Sequence, residues 1–220
     1  MQNLSQKHFS PLHTKHSIAL VANGAMHDYS LMAPMIQKYD RCVAVDGGLA
    51  HCHAMEIRPE LILGDFDSIP QQLLKMYPEI PKQDYPSEKD QTDLELALRL
   101  VDNPSIAKIG IFGALEKRTD HALANLYLMR RYAGKVVIET ETETVFMISG
   151  QHRIECSPGQ TLSLMPIGAS ATGVTTQGLK WEVHEATFDA NFMSISNVCL
   201  GPNFSIHIGR GELLCCLLRV

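Results

Sequence analysis

The chain has 220 residues, 45% of them hydrophobic, and a formal net charge of −5. That length holds one large domain or two small ones, and either can bury a real core. The acidic balance, with no basic patch, argues against nucleic acid as a partner. No apolar run approaches the roughly 18–20 residues that a bilayer crossing needs.

The first sixteen residues are polar, with Lys7, Lys15, His8, His13 and His16, and read as a flexible N-terminal tail. The run "IALVA" that follows is too short for the core of a signal peptide. The six cysteines show no CxxC pair and no regular spacing. They read as free thiols, and the chain as cytoplasmic.

From residue 17 to about 141, short apolar runs alternate with helical patterns. Strands are predicted at 17–23, 41–46, 60–65, 107–113 and 135–140. Their continuous apolar character indicates strands covered on both faces. Helices are predicted at 30–39, 49–56, 70–77, 92–102 and 119–133. This alternation predicts an α/β domain with a mostly parallel, Rossmann-like sheet flanked by helices.

From 142 to 220 the segments are short, rich in Thr, Val, Ile and Ser, and broken by Gly or Pro. That is an all-β pattern. The stretch 204–220 reads as a terminal hairpin turning at Gly209–Arg210–Gly211.

Ligands of open α/β sheets bind at the carboxyl ends of the strands, and acidic motifs collect there. Asp46 ends one strand, with Gly47 and Gly48 permitting close backbone approach. "GDFDS" (64–68) puts Asp65 and Asp67 at the end of the next. In an extended chain both carboxylates face one side while Phe66 faces the core. Like charges that close call for a cation, and Mg²⁺ prefers such oxygen ligands. The alternative is a plain capping turn before Pro70.

"SEKDQTDLELALRL" (87–100) adds Asp90 and Asp93 at a helix start, where Thr92 and Glu95 have capping-box spacing. After the next strand, Arg118 is placed to pair with phosphate, Thr119 or Asp120 to cap a helix, and His121 and Asn125 to share its face. Asn23–Gly24 ends the first strand in a turn able to admit a phosphate. His51 and His53 are two apart, splayed on a helix, and are not read as metal ligands.

In this order, "ANG" (22–24), "VDGG" (45–48), "GDFDS" (64–68), "DQTDLELAL" (90–98), "RTDHALAN" (118–125), "GLKW" (178–181) and "SISN" (194–197) resemble the thiamine pyrophosphokinase family. The resemblance runs over nearly the whole chain after residue 17. It implies an N-terminal α/β domain, a C-terminal β-sandwich that binds thiamine and dimerises, and a homodimer with active sites between subunits. The implied reaction is ATP plus thiamine giving AMP plus thiamine diphosphate, with Mg²⁺.

On that resemblance, Asp46, Asp65, Asp67 and Asp93 are the expected catalytic residues. Asp65 and Asp67 would hold the metal, with Asp90 or Asp93 closing its site. Asn23, Gly24, Gly47, Ser68, Lys89 and Thr92 are expected at ATP, as are Arg118, Asp120, His121 and Asn125. Trp181 would offer a platform to the cationic thiazolium, and Ser196 and Asn197 would bond the aminopyrimidine edge.

Two departures stand out. Glu116 and Lys117 occupy positions where the family often has two glycines, and Ile195 interrupts a Thr-Ser-Asn core. The alternatives are a hydroxymethyl-pterin pyrophosphokinase of the same fold, a DxD-type sugar-nucleotide transferase or phosphatase, and a non-catalytic thiamine-binding homologue.

Overall fold

A computed structural model describes residues 16–220. The predicted tail falls on residues 1–15, outside the described residues, and on His16, which opens the first strand. The chain separates into two compact units, one running to Asn125 and the other spanning Leu126–Val220.

The first unit carries five strands: β1 (His16–Val21), β2 (Arg41–Val45), β3 (Leu61–Gly64), β4 (Lys82–Asp84) and β5 (Ile106–Phe112). They run parallel in the order β4-β3-β2-β1-β5. The helices α1 (Tyr29–Ile36), α2 (Gly48–Ala54), α3 (Gln71–Lys75) and α4 (Asp93–Val101) connect them, and α5 (Thr119–Met129) follows β5. Every strand and helix predicted up to α5 is present, whereas the strand predicted at 135–140 (Val136–Glu139) falls in the second unit and pairs antiparallel with the strand after it. β4 was not predicted, because Lys82-Gln83-Asp84 has no apolar content to mark it. A short polar strand suits the edge of a sheet, where unpaired backbone would otherwise invite another chain.

Period-two geometry explains the apolar runs. Ala19 and Val21 point into a core with Ala44, Ile62, Met32 and Leu49. Ile18 and Leu20 between them are equally buried. Helices α2 and α4 both lie against β1 and β2. With both faces covered, alternation disappears and only length and glycine punctuation mark the strands.

The second unit holds β6 (Val136–Glu139), β7 (Glu143–Glu155), β8 (Thr161–Pro166), β9 (Ala171–Gln177), β10 (Ala186–Phe188), β11 (Ser194–Val198) and β12 (Asn203–Leu218). The long antiparallel pair β7 and β12 organises it. The first half of β12 also pairs with β9, and the second half with β8. Strands β10 and β11 extend those two halves. The sheets enclose Phe188, Phe204, Leu162, Leu164, Val174 and Leu213 in one core. This is the expected β-sandwich.

The predicted terminal hairpin is corrected. Residues Gly209–Arg210–Gly211 do not reverse the chain. They sit where the β7–β12 register shifts between Ile208 and Leu213, and both sides of the shift pair with β7 in the same direction. The glycines absorb extra residues as a bulge that bends the strand.

Among the described residues no helix is long and apolar enough to cross a membrane.

Packing at the carboxyl edge of the parallel sheet leaves no room for a side chain at position 48. A Cβ on Gly48 would lie 1.8 Å from the carbonyl oxygen of Val21. Gly48→Ala is expected to cost about 2–3 kcal/mol, read as a lower urea midpoint. An unchanged midpoint would refute the contact.

Candidate active site

The order β4-β3-β2-β1-β5 reverses direction beside β1, and ligands of open parallel sheets bind at such switch points. Asn23 follows β1, Asp46 follows β2, Asp65 follows β3 and Gly113 follows β5. All four line one cavity of about 680 Å³, together with Asp67, Ser68, Lys89, Thr92, Asp93, Lys117, Arg118, His121 and Asn125. Of the first unit's predicted site residues, only Gly47, Asp90 and Asp120 do not line it.

Carboxylate oxygens of Asp46, Asp65 and Asp67 lie within 4.8 Å of one another. The convergence arises differently from the expectation. The chain is not extended after β3: Phe66 adopts φ +62°, and the Asp67 amide donates to Asp65 Oδ1 at 3.2 Å. The aspartate turn itself brings the two carboxylates together, while Phe66 still packs on the core. Asp46 also has a left-handed backbone, with φ +49°. Left-handed bulky residues are uncommon and gather at functional sites. One oxygen of Asp46, Oδ1, is buried without a hydrogen-bond partner. A buried carboxylate oxygen left so is costly unless something binds it.

Lys89 bridges Asp65 (3.3 Å) and Asp93 (3.1 Å). Burial pushes the Asp65 carboxyl up, but the Asp67 amide and the Lys89 ammonium outweigh it and hold it below the usual range. Burial pushes Asp93 up more than Lys89 can offset, and the charges of Asp65 and Asp46 add to the rise. Burial works against the Lys89 ammonium, yet Asp93 and Asp65 raise it overall. Asp93 opens α4 behind Thr92, whose hydroxyl accepts from the Glu95 amide at 3.2 Å. Asp90 is exposed and stands outside the cavity, which leaves Asp93 as the carboxylate of that pair near the cluster.

The predicted glycines serve the protein's own packing. A Cβ on Gly24 would meet Gly113 O at 2.2 Å, and one on Gly47 would meet the Asn23 side chain at 2.3 Å. The close approach they permit is between the loops after β1, β2 and β5, so Gly47 shapes the site from behind.

His51 ties the same region from below. Its Nε2 donates to the Gly24 carbonyl at 2.8 Å, so in the neutral ring Nδ1 accepts from the Tyr29 hydroxyl at 2.8 Å. His53 Nδ1 pairs with the Tyr77 hydroxyl at 2.9 Å, so the two rings engage different partners. The link from His51 to Gly24 had no sequence signal, since it spans 27 positions.

The loop after β5 carries the cationic side. Asn125 Nδ2 donates to Ala114 O at 2.7 Å and clamps the loop to α5. Arg118 is forked onto Asp120 at 3.1 and 2.6 Å. That pairing pulls the Asp120 carboxyl down to about 2, against the opposing effect of desolvation and with help from the His121 amide. Lys117 Nζ donates to Asn23 O at 2.6 Å and to Asn23 Oδ1 at 3.2 Å.

The remaining predicted residues belong to the second unit. Trp181 is 54% exposed, with Lys180 Nζ 4.6 Å from its ring centre. Ser196 is exposed, at φ +56°. Asn197 is buried and bonded throughout: Oδ1 accepts from the Trp181 and Val198 amides, and Nδ2 donates to Trp181 O and Ser194 Oγ. Its amide has no capacity left for a ligand. Asn197 therefore ties Trp181 in place, and the aminopyrimidine contact expected of its amide would have to displace one of these bonds. Asn197→Ala is expected to cost about 2–3 kcal/mol and to lower the anisotropy of emission from the lone tryptophan. Unchanged anisotropy would remove Asn197 as the holder of Trp181.

Residues 32–140 match the family model "Thiamin pyrophosphokinase, catalytic domain", and 151–212 match "Thiamin pyrophosphokinase, vitamin B1 binding domain". Thiamine pyrophosphokinase 1 of Oryza sativa subsp. japonica is 28% identical over 66% of this chain, a match that spans only 60% of that relative's length. The thiamine pyrophosphokinase of Bacillus subtilis is 28% identical over 90% of this chain and 96% of its own. The crystal structure of a thiamine pyrophosphokinase from Bacillus subtilis superposes with a TM-score of 0.80 at 23% identity, covering 93% of this chain and 99% of that one. Matched by both domain models over most of its length, the chain belongs to the thiamine pyrophosphokinase family.

Proposed function

We propose that this chain transfers the pyrophosphoryl group of ATP to the hydroxyethyl group of thiamine, giving thiamine diphosphate and AMP. The observation that carries the reading is the meeting of Asp46, Asp65 and Asp67 in one cavity, with Asp46 Oδ1 buried and unpartnered. An all-oxygen set of that kind suits Mg²⁺, which binds carboxylates and shares its other positions with phosphate and water. Asp46, Asp65 and Asp67 would hold the ion, with Asp93 beside them. Bound there, Mg²⁺ supplies charge neutralisation for the polyphosphate.

The chain's own residues do the positioning. The loops at Asn23–Gly24 and 113–118 bound the cavity, and Lys89, Lys117 and Arg118 bring positive charge to it. Thr92 and Ser68 offer hydroxyls at its wall. The hydroxyl oxygen of thiamine forms the new bond to the β-phosphorus. The bond from that phosphorus to the bridging oxygen of AMP breaks, and a carboxylate of the acidic wall accepts the hydroxyl proton.

The second unit supports thiamine as acceptor through its match to a vitamin B1 binding domain and its exposed aromatic face at Trp181. Lys180 lies over that ring and would have to yield to a cationic ligand on the same face. Exposed Trp181, Ile195 and Leu200 support a homodimer. Six free thiols support a reducing, cytoplasmic setting.

Incubation with ATP, Mg²⁺ and thiamine should yield AMP and thiamine diphosphate in equal amounts. ADP or free phosphate as the nucleotide-derived product would overturn pyrophosphoryl transfer, and turnover of a hydroxymethyl-pterin but not thiamine would reassign the acceptor. Asp67→Asn should abolish turnover while the protein stays folded. Saturating Mg²⁺ should stabilise the protein by about 1–3 kcal/mol, measured as a rise in Tm, and Asp46→Asn should lose that increment. An equal rise in the variant would take Asp46 out of the metal site.

A further inference from the structure

The cavity's cations differ in how their charge is met. Lys89 lies between two carboxylates, Asp65 and Asp93. Arg118 is forked onto Asp120. Among the described residues the partners of the exposed Lys117 are neutral, the carbonyl and side-chain oxygens of Asn23. Its charge is therefore uncompensated by an acid, and it lines the same cavity as the acidic cluster.

The backbone at Lys117 has φ +81°, in the left-handed region that glycine adopts freely and a long side chain does not. Its surroundings hold it there. The Gly24 amide donates to Gly113 O at 2.7 Å, Asn125 clamps Ala114, and Glu116 faces His27 Nε2 at 3.0 Å. A residue kept in a disfavoured conformation beside a cavity points to a role for its side chain. Hydrogen bonding to Asn23 alone is a weak reason for an ammonium there, since it meets two of the three donors and leaves the charge open.

We infer that Lys117 is a polyphosphate-binding residue: its ammonium leaves Asn23 and pairs with a terminal phosphate of the nucleotide. The inference rests on the ATP reading above and deepens it. An anion at this place exchanges neutral acceptors for charged ones, which strengthens each hydrogen bond. Lys117 then supplies, from a rigid loop, the positive charge that Arg118 and Lys89 already share with carboxylates.

Calorimetric titration of the full-length protein with inorganic tripolyphosphate in Mg²⁺, and separately with adenosine, tests this. Lys117→Gly removes the charge and suits the left-handed backbone, so Tm should hold or rise. It should weaken tripolyphosphate binding about tenfold, as expected for a lost charge-assisted hydrogen bond, and leave adenosine binding within twofold. Lys117→Arg should retain most of the tripolyphosphate affinity. Equal tripolyphosphate affinity in Lys117→Gly and the parent would overturn the role of Lys117 while leaving the ATP reading intact. Parallel loss of both ligands would show a purely structural tie and overturn it too. A parent protein that binds neither probe would overturn the ATP reading and this inference together.

Discussion

Four carboxylates gathered at one sheet edge repel one another, so the backbone has to hold them there. Asp46, Asp65 and Asp67 come from two adjacent strand ends, and Asp93 from the first turn of α4. Left-handed backbone at Asp46 and Phe66 shapes the turns that carry these side chains to one place. Those turns persist because β2, β3 and α2 are fixed by a core buried on both faces. The apolar runs and the acidic cluster are thus one construction: burial fixes the strand ends and the strand ends fix the charges.

The same logic sets the glycines. Loops after β1, β2 and β5 crowd together at the switch point, and Gly24 and Gly47 are where a Cβ would strike a neighbouring loop. Such crowding keeps the loop of Asn23 in place for Lys117 above and His51 below. It also explains why a glycine beside an expected phosphate site need not face the phosphate.

Strands and helices of the first unit were legible because continuous apolar runs and helical periodicity are local signals. β4 was not, because three polar residues at a sheet edge carry no such signal. The stretch 209–211 has the composition of a turn, yet pairing with thirteen-residue β7 continues on both sides of it. Whether glycines reverse a strand or merely bulge it depends on a partner that local sequence does not reveal. Asp65 and Asp67 were legible as a pair, although a turn brings them together. The internal service of Asn197 was not legible, since its four partners are fixed by the folding of β11 against the segment of Trp181.

On the proposed ATP reading, charge distribution then bears on which form of nucleotide would suit the cavity. Among the described residues Lys89 is the cation set into the acidic floor, and it is shared between two of the carboxylates. The floor stays negative, and a bare polyphosphate entering it would meet repulsion at short range, where water screens least. The loop after β5 presents the opposite sign through Lys117 and Arg118. An anionic chain carrying its own divalent cation fits both surfaces: the cation faces the carboxylates and the free phosphate oxygens face the loop. On the ATP reading proposed above, opposed walls of this kind would favour the metal complex of a polyphosphate over the free anion. They would also set its direction in the cavity before any contact with the base or the acceptor is made.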